Sequence, residues 1–180
     1  GDSAGIGRDR RSIGVNALMT PPREFGDHPT PPALVAHVVS CLRRHGVGWA
    51  RVIEPSAGAG RFLAGLLAAD PPPRQIHAIE TQPGRAAESA ALAATALVPV
   101  QVTSQSLFEI DLAHDLAWRV AGPLLVVGNP PWITTAALGA LGSANRPPRA
   151  PAAGLAGFDA CTGTSNFDLA EAIALKAVGE

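Results

Sequence analysis

The chain has 180 residues, which is enough for one domain with a single hydrophobic core. Apolar residues make up 47% of it and charged residues only 16%, a composition that excludes a disordered protein. The net charge of −1 excludes a domain that holds nucleic acid through an extensive basic surface of its own. No apolar run is long enough to cross a bilayer, and the two cysteines have no metal-ligand or redox spacing. We therefore expect a cytoplasmic protein with reduced thiols and no metal.

An irregular segment and a helix open the chain. Residues 1–28 are rich in Gly, Arg and Pro and show no period, so they are interpreted as an irregular N-terminal arm. Apolar residues then recur at helical spacing over 32–45, which predicts the first helix. Thr30 is its predicted cap, because Pro31 and Pro32 fit a first turn in which a missing N–H costs little.

Short β-like runs alternate with helical stretches over the next hundred residues. This rhythm predicts a parallel sheet covered by helices on both faces. Beyond it, residues 133–165 lack a period and are interpreted as a lid or target loop, and a final helix is predicted over about 166–178. Between the first helix and residue 133, strands are predicted at 51–55, 75–80, 98–103 and 124–128, and helices at 61–69 and 84–97.

The segment Glu54-Pro-Ser-Ala-Gly-Ala-Gly-Arg-Phe-Leu63 connects the first predicted strand to a helix. In open α/β sheets, ligands bind beyond the carboxyl ends of the strands. Gly58 and Gly60 let a ligand approach the backbone closely, and the start of the helix offers unpaired N–H groups to a ligand carboxylate. Glu54 can attract an ammonium group. The loop therefore fits a free amino-acid moiety, although short Gly patterns also occur in ordinary strand-to-helix turns.

Glu80 ends the second predicted strand, 26 residues after Glu54. Doubly wound domains place an acidic residue on ribose hydroxyls at a similar spacing, and a carboxylate can accept two hydrogen bonds from a vicinal diol. The alternative is a solvated glutamate at a strand end. An amino-acid site beside a ribose site favours S-adenosylmethionine over a dinucleotide, because Arg61 is the one residue of the loop that could bind phosphate.

The segment Asn129-Pro-Pro-Trp132 follows the fourth predicted strand. An exocyclic amine conjugated to a ring or carbonyl is a poor nucleophile, because its lone pair is delocalised. The Asn129 side-chain oxygen and the Pro130 carbonyl could hold the two N–H groups and aim the lone pair at a methyl group. Trp132 offers a face on which a planar base could stack. The alternative interpretation is a rigid Pro-Pro turn with a core tryptophan.

These motifs, in this order, resemble the gamma class of N6-adenine DNA methyltransferases, which belong to the amino-methyltransferases with an Asn-Pro-Pro-aromatic motif. The likeness spans roughly residues 25–178. It implies a Rossmann-like class I S-adenosylmethionine-dependent methyltransferase fold over residues 29–180, with S-adenosyl-L-methionine as the cofactor. Four segments carry it: Thr30-Pro-Pro-Ala-Leu-Val35, the Gly-rich loop from Glu54 to Leu63, Asn129-Pro-Pro-Trp132 and Phe167-Asp-Leu-Ala-Glu171.

The resemblance assigns residues to the cofactor and to the target. Ser106 stands where the family usually has an Asp for the cofactor's adenine amino group, and a hydroxyl bonds that amine more weakly than a carboxylate. The residues implied at the target amine are Asn129, Pro130, Pro131 and Trp132. The residues implied at the cofactor are Thr30, Pro31, Glu54, Pro55, Ser56, Ala57, Gly58, Gly60, Phe62, Glu80, Ser106, Leu107 and Asn129.

The resemblance also implies a methyltransferase domain that is incomplete at its C-terminal side. Members of the family close the sheet with three further strands, and the gamma class adds a target-recognition domain. The fourth strand of this chain is therefore expected at an exposed edge of the sheet. DNA is the expected partner, with the missing C-terminal part of the same protein recognising the target in a restriction-modification or phage-defence system.

Two alternatives stay open. Similar Asn-Pro-Pro-aromatic sites methylate glutamine amides of proteins or base amines of RNA, although the protein-modifying enzymes usually begin the loop motif with Asp. A non-catalytic domain that keeps the fold and binds a partner is favoured by the missing Asp near Ser106. The intact Asn-Pro-Pro-Trp motif argues against that alternative, and binding of the cofactor would distinguish the two.

Overall fold

A parallel sheet of four strands lies at the centre of the protein. The computed structural model describes residues 29–140, 142 and 169–180, so the predicted N-terminal arm and most of the predicted lid lie outside the described residues. The elements in chain order are α1 (Pro32–Arg44), β1 (Arg51–Glu54), α2 (Arg61–Leu67), β2 (Gln75–Ile79), α3 (Pro83–Ala93), β3 (Val100–Thr103), a 3-10 helix (Leu107–Glu109), β4 (Leu124–Val126), α4 (Thr135–Ala140) and α5 (Leu169–Gly179).

The order of the strands places a ligand-binding position between β1 and β4. The strands lie in the order β3-β2-β1-β4, and every neighbouring pair is parallel. The chain builds outwards from β1 to β3 and then crosses back to place β4 on the other side of β1. Open α/β sheets bind ligands at such a reversal, in the crevice beyond the carboxyl ends of the strands.

Hydrophobic clusters cover both faces of the sheet. On one face, Val52 and Ile76 pack with apolar residues of α1 and α2. On the other face, Ile53 and Ile79 pack with the segment 107–116 and with α4 and α5. Successive strand residues point to opposite faces, which is why the neighbours Val52 and Ile53 enter different clusters. The doubly wound α/β fold predicted from the sequence is therefore confirmed.

The bounds of several elements differ from those predicted. Helix α2 ends at Leu67 and α3 at Ala93, and the chain beyond Ala93 turns so that Leu97 is fully exposed. Strand β3 begins at Val100, two residues later than predicted. The prediction of an irregular segment from residue 133 is wrong for its described start, because α4 forms there and buries Leu138 in the core. The first residues of the predicted final helix lie outside the described part of the chain.

The predicted cap of α1 is also wrong. Pro31 occupies the cap position, and in the described part of the chain no side-chain cap hydrogen bond forms there. The Pro31 carbonyl accepts the N–H groups of Leu34 and Val35 at 2.9 and 3.2 Å. Thr30 is therefore one residue too early to cap α1; it is buried, and its hydroxyl bonds to Asn129 instead.

Strand β4 lies at an edge of the sheet. Among the described residues it pairs with β1 and with no other strand, as the expectation of an exposed edge requires. Its side chains Leu124 and Val126 are exposed. Such an edge presents unpaired N–H and C=O groups to which another segment can add.

Helices α1 and α2 approach closely at Gly65. A Cβ atom on Gly65 would lie 2.4 Å from Cγ1 of the buried Val35. We expect Gly65→Ala to lower the free energy of unfolding by about 1–3 kcal/mol, because overpacking outweighs the roughly 1 kcal/mol of helix propensity that alanine adds. Gly84→Ala in α3 is the matched control, since its Cβ would meet no atom within 4 Å. Urea unfolding measures both; equal stability of the two variants would contradict this account of the contact.

His77 is buried in the middle of β2. Its Nε2 lies 3.2 Å from the Ala117 carbonyl oxygen and 3.1 Å from the Gln75 amide nitrogen, and its ring packs edge-on against Trp118. Burial lowers the pKa of His77, and the hydrogen bond to Ala117 opposes this only in part. The fold thus favours the neutral ring, so stability present at neutral pH should be lost as the pH falls below the ordinary histidine pKa of about 6.5. Urea unfolding at neutral and acidic pH should show that the free energy of unfolding falls more on acidification in the wild type than in His77→Gln. Equal falls in the two proteins would refute a role for His77 in this pH dependence.

Two other properties concern membranes and metals. No helix in the described ranges combines the length and apolar character needed to cross a membrane. Within the same ranges, no three His, Cys, Asp or Glu side chains gather where they could hold a metal ion. Cys41 is a free thiol, and Cys161 lies outside the described residues.

Candidate active site

An open cleft lies over the carboxyl ends of β1, β2 and β4. It contains about 910 Å³ of empty space, part of which is open solvent. The loops that follow the strands form most of its wall, and the segment before α1, the first turns of α2 and α3, and α5 contribute the rest. Most residues predicted for the site line it: Thr30, Glu54, Pro55, Ser56, Ala57, Gly58, Phe62, Glu80, Ser106, Leu107, Asn129 and Pro131.

Four predicted residues do not line the cleft. Pro31 serves as the cap position of α1, and Gly60 is buried beneath the loop. Pro130 and Trp132 belong to the same motif as the lining residues Asn129 and Pro131 but do not form part of the wall. Asn129 and Pro131 thus connect the predicted target motif to the cleft.

The loop after β1 is held in place by its neighbours. The Ala57 N–H donates to the carbonyl oxygen of Ile79 at 2.8 Å, which ties the loop to the end of β2. Gly60 has a φ of 77° at the cap position of α2, and a Cβ there would lie 3.1 Å from the Ser89 hydroxyl oxygen. Glycine is required at Gly60 both for this left-handed conformation and for the close approach of α3. The loop is thus pre-formed around the cleft.

Glu80 joins the loops after β1 and β2. One carboxylate oxygen accepts the Gly58 N–H at 2.7 Å, and the other accepts the Gln82 N–H at 2.8 Å. Only 6% of Glu80 is exposed, so the alternative of a solvated glutamate is wrong. Each oxygen has a second lone-pair site, which leaves the carboxylate able to accept hydrogen bonds from a ligand as well.

Glu54 is a buried carboxyl group with an unsatisfied oxygen. Its residue is 1% exposed, and Oε2 has no hydrogen-bond partner among the residues that the structure describes. Burial raises the pKa of the Glu54 carboxyl well above its usual value. The backbone N–H groups of Leu63 and, less strongly, Phe62 oppose this rise, whereas the negative charge of Glu80 adds to it. A buried carboxyl group with one unsatisfied oxygen is poised to receive a cation.

Asn129 lies directly after β4 and beside the end of β1. The Val127 N–H extends the ladder to the Ile53 carbonyl at 3.0 Å, and a Cβ on Gly128 would lie 3.5 Å from Cδ of Pro55. The Asn129 Nδ2 donates to the Thr30 hydroxyl oxygen at 3.2 Å, and its Oδ1 accepts the Trp132 indole N–H at 3.1 Å. Trp132 is 69% exposed, so it is not the core tryptophan of the alternative interpretation.

Several lining residues were missed by the sequence analysis. Gln82 and Arg85 follow Glu80 in the loop and first turn after β2, and the rule that neighbouring loops meet at one edge could have found them. Phe108 follows the predicted Leu107 directly. Leu169 and Ile173 come from α5, which no local signal connects to the cleft. The remaining missed residues are Pro29, Ala59, Arg61, Thr81 and Gln105.

Comparison with known proteins identifies one informative relative. The chain is 26% identical over 158 residues to the Type II methyltransferase M.NspV of Nostoc sp. (strain ATCC 29411 / PCC 7524), a match that covers 86% of this chain and 32% of that protein. This similarity supports a methyltransferase domain. The chain spans about a third of the length of that methyltransferase. No protein-family model matches the chain.

Among solved structures, the domain is similar to PH1948 of Pyrococcus horikoshii, described as a proposed RNA methyltransferase. The two share 15% identity and a TM-score of 0.49, over 69% of this chain and 54% of that one. The similarity is too remote to carry an inference about the substrate. Methyltransferases generally use S-adenosylmethionine, which makes it the cofactor to test against the residues of the cleft.

Proposed function

We propose that this chain is the cofactor-binding and catalytic part of an S-adenosylmethionine-dependent methyltransferase that modifies the N6 amino group of adenine in DNA. One observation carries the proposal: the reversal of the sheet places the unsatisfied carboxyl group of Glu54 and the side-chain amide of Asn129 in one cleft. The similarity to a Type II methyltransferase supports the reaction. The order of the Thr-Pro, Gly-rich and Asn-Pro-Pro-Trp segments supports adenine in DNA as the substrate.

The residues of the cleft fit the parts of S-adenosylmethionine. Glu54 would pair with the ammonium group, which gives Oε2 the partner that it lacks. Glu80 keeps free lone-pair sites for the ribose hydroxyls beside its two backbone bonds. Phe108 and Ile173 offer apolar surface to the adenine ring, next to the Ser106 hydroxyl. When bound, the cofactor supplies a methyl group activated by its sulfonium charge.

Asn129 and Pro130 would hold the target amine. The Asn129 oxygen would accept one N–H and the Pro130 carbonyl the other, which draws the nitrogen lone pair out of conjugation and directs it into the cleft. The two prolines fix the backbone dihedrals of these acceptors before the substrate arrives. No strong general base is needed, because the amine becomes acidic only as the methyl group is transferred.

Trp132 would receive the target base. An adenine in a duplex cannot reach the cleft unless it is extruded from the helix. The exposed indole face of Trp132 stands next to Asn129 and offers a stacking surface for the extruded base. The net charge of −1 gives the domain little affinity for phosphate, so recognition of the DNA would fall to other parts of the protein.

A substrate panel tests the proposal. The protein in its full natural length would be incubated with S-adenosylmethionine carrying an isotopically labelled methyl group and with unmethylated DNA, RNA or protein extract. Digestion and mass spectrometry would then locate the label. We expect labelled N6-methyladenine from DNA alone. Label in RNA or in protein glutamine would support the proposed mechanism but show that the substrate is not DNA. Cofactor binding without transfer to any of the three substrates would indicate a non-catalytic domain.

A further inference from the structure

We propose that Thr30 is a positioning residue that fixes the orientation of the Asn129 side-chain amide, so that its oxygen and not its nitrogen faces the target amine. The inference rests on the proposed function and adds to it a residue with a different part in the reaction. Thr30 precedes α1, 99 residues before Asn129, and is 8% exposed. Its hydroxyl oxygen accepts the Asn129 Nδ2–H at 3.2 Å.

The orientation of the Asn129 amide decides whether the site can work. A rotation of the amide by 180° exchanges its acceptor for a donor. In the reversed state, NH₂ would meet the NH₂ group of the substrate, and no hydrogen bond could form. The indole N–H of Trp132 can only donate, so the Asn129 atom 3.1 Å from it is the oxygen. The nitrogen therefore faces Thr30, whose hydroxyl can accept its hydrogen.

The contact with Trp132 is expected to weaken during the reaction. The indole N–H occupies the oxygen that the target amine must use, and the ring is exposed and free to turn onto an incoming base. Once the indole has turned away, Thr30 is the described partner that still holds the amide. Thr30 thus matters most when the substrate is being bound.

The surroundings of Thr30 suit this task. Pro31 caps the helix through its own backbone carbonyl, so the Thr30 hydroxyl is not used by α1. Burial removes competing water, and the branched Cβ of threonine restricts rotation about χ1. The hydroxyl is therefore held in one place and is available to Asn129.

Three variants test the inference in the full-length protein. Thr30→Val keeps the shape of the side chain and removes the hydroxyl. We expect it to lower the single-turnover rate of methyl transfer roughly 3- to 10-fold, which corresponds to the loss of one hydrogen bond. Thr30→Ser should restore the rate to within about twofold of the wild type, on the same scale. The affinity for S-adenosylhomocysteine should stay unchanged in both. Thr95→Val is the matched control, because Thr95 lies just beyond α3 and outside the cleft wall, with its hydroxyl bonded to the Leu92 carbonyl.

Three results would overturn the inference. An unchanged rate in Thr30→Val would show that the hydroxyl does not position the amide. An equal loss of rate and of S-adenosylhomocysteine affinity would make Thr30 a contact of the cofactor instead. A crystal structure of Thr30→Val provides a result that does not depend on activity: we expect the Asn129 side-chain amide to turn away from the orientation that points its nitrogen at residue 30. An undisturbed Asn129 would refute the positioning role, whether or not the protein transfers methyl groups. Absence of methyl transfer would by itself refute only the proposed function.

Discussion

Asn129→Ala should lower the rate of methyl transfer about 100-fold or more, the loss seen when one group that stabilises a transition state is removed. The side-chain oxygen is the acceptor that would draw the amine lone pair out of conjugation, and alanine offers none. Cofactor affinity should change little, because Glu54 and Glu80 remain in the cleft. Single-turnover transfer and binding of S-adenosylhomocysteine, measured on the same preparation, separate the two effects.

Gln101→Ala is the control for this variant. Gln101 carries the same amide group on β3, is exposed, and is not part of the cleft wall. Its loss should leave both the rate and the affinity unchanged. If Asn129→Ala transferred methyl groups as fast as Gln101→Ala does, Asn129 could not be the acceptor of the target amine, and the assignment of the motif would fail.

Glu54→Gln should weaken binding of S-adenosylmethionine by about 30-fold or more, the usual cost of removing one partner of a buried charge pair. The same change should stabilise the protein without ligand. Because burial raises the pKa of Glu54, ionisation of the carboxyl group opposes folding, and the wild type should lose stability as the pH rises above the ordinary glutamate pKa of about 4.3. The neutral glutamine side chain is free of this cost. Calorimetry and urea unfolding measure the two opposite effects.

The raised pKa also gives cofactor binding a pH dependence. Glu54 must be ionised to pair with an ammonium group, so affinity should increase as the pH rises through its elevated pKa, with release of a proton. Titrations in two buffers of different ionisation enthalpy count that proton. Glu109→Gln, at an exposed carboxylate, should match the wild type in every respect. Unchanged binding of S-adenosylmethionine by Glu54→Gln would show that Glu54 does not bind the cofactor.

The fold was predictable because its signals are local. A buried strand that ends in Glu54 and a helix with an apolar stripe can each be recognised from neighbouring residues. The rule that parallel strands end at one edge then brings Glu54, Glu80 and Asn129 together without knowledge of the strand order. The structure adds that order and places the reversal between β1 and β4.

The parts that were not predictable depend on distant residues. The Thr30 hydroxyl fits a helix cap by sequence, and only the fold brings it to Asn129. The sequence gives no sign that α5 would supply Ile173 to the wall of the cleft. Glu80 was expected to bind ribose, but nothing local indicated that its two oxygens also hold the loops at Gly58 and Gln82.

The most direct test of the central claim is to quantify N6-methyladenine in the DNA of cells that lack adenine methylation of their own. The full-length protein and its Asn129→Ala variant would be expressed to equal abundance, and the genomic DNA digested and analysed by mass spectrometry. We predict N6-methyladenine with the wild type and none above background with the variant. Equal amounts with both proteins, or none with a wild type that binds the cofactor, would contradict the assignment.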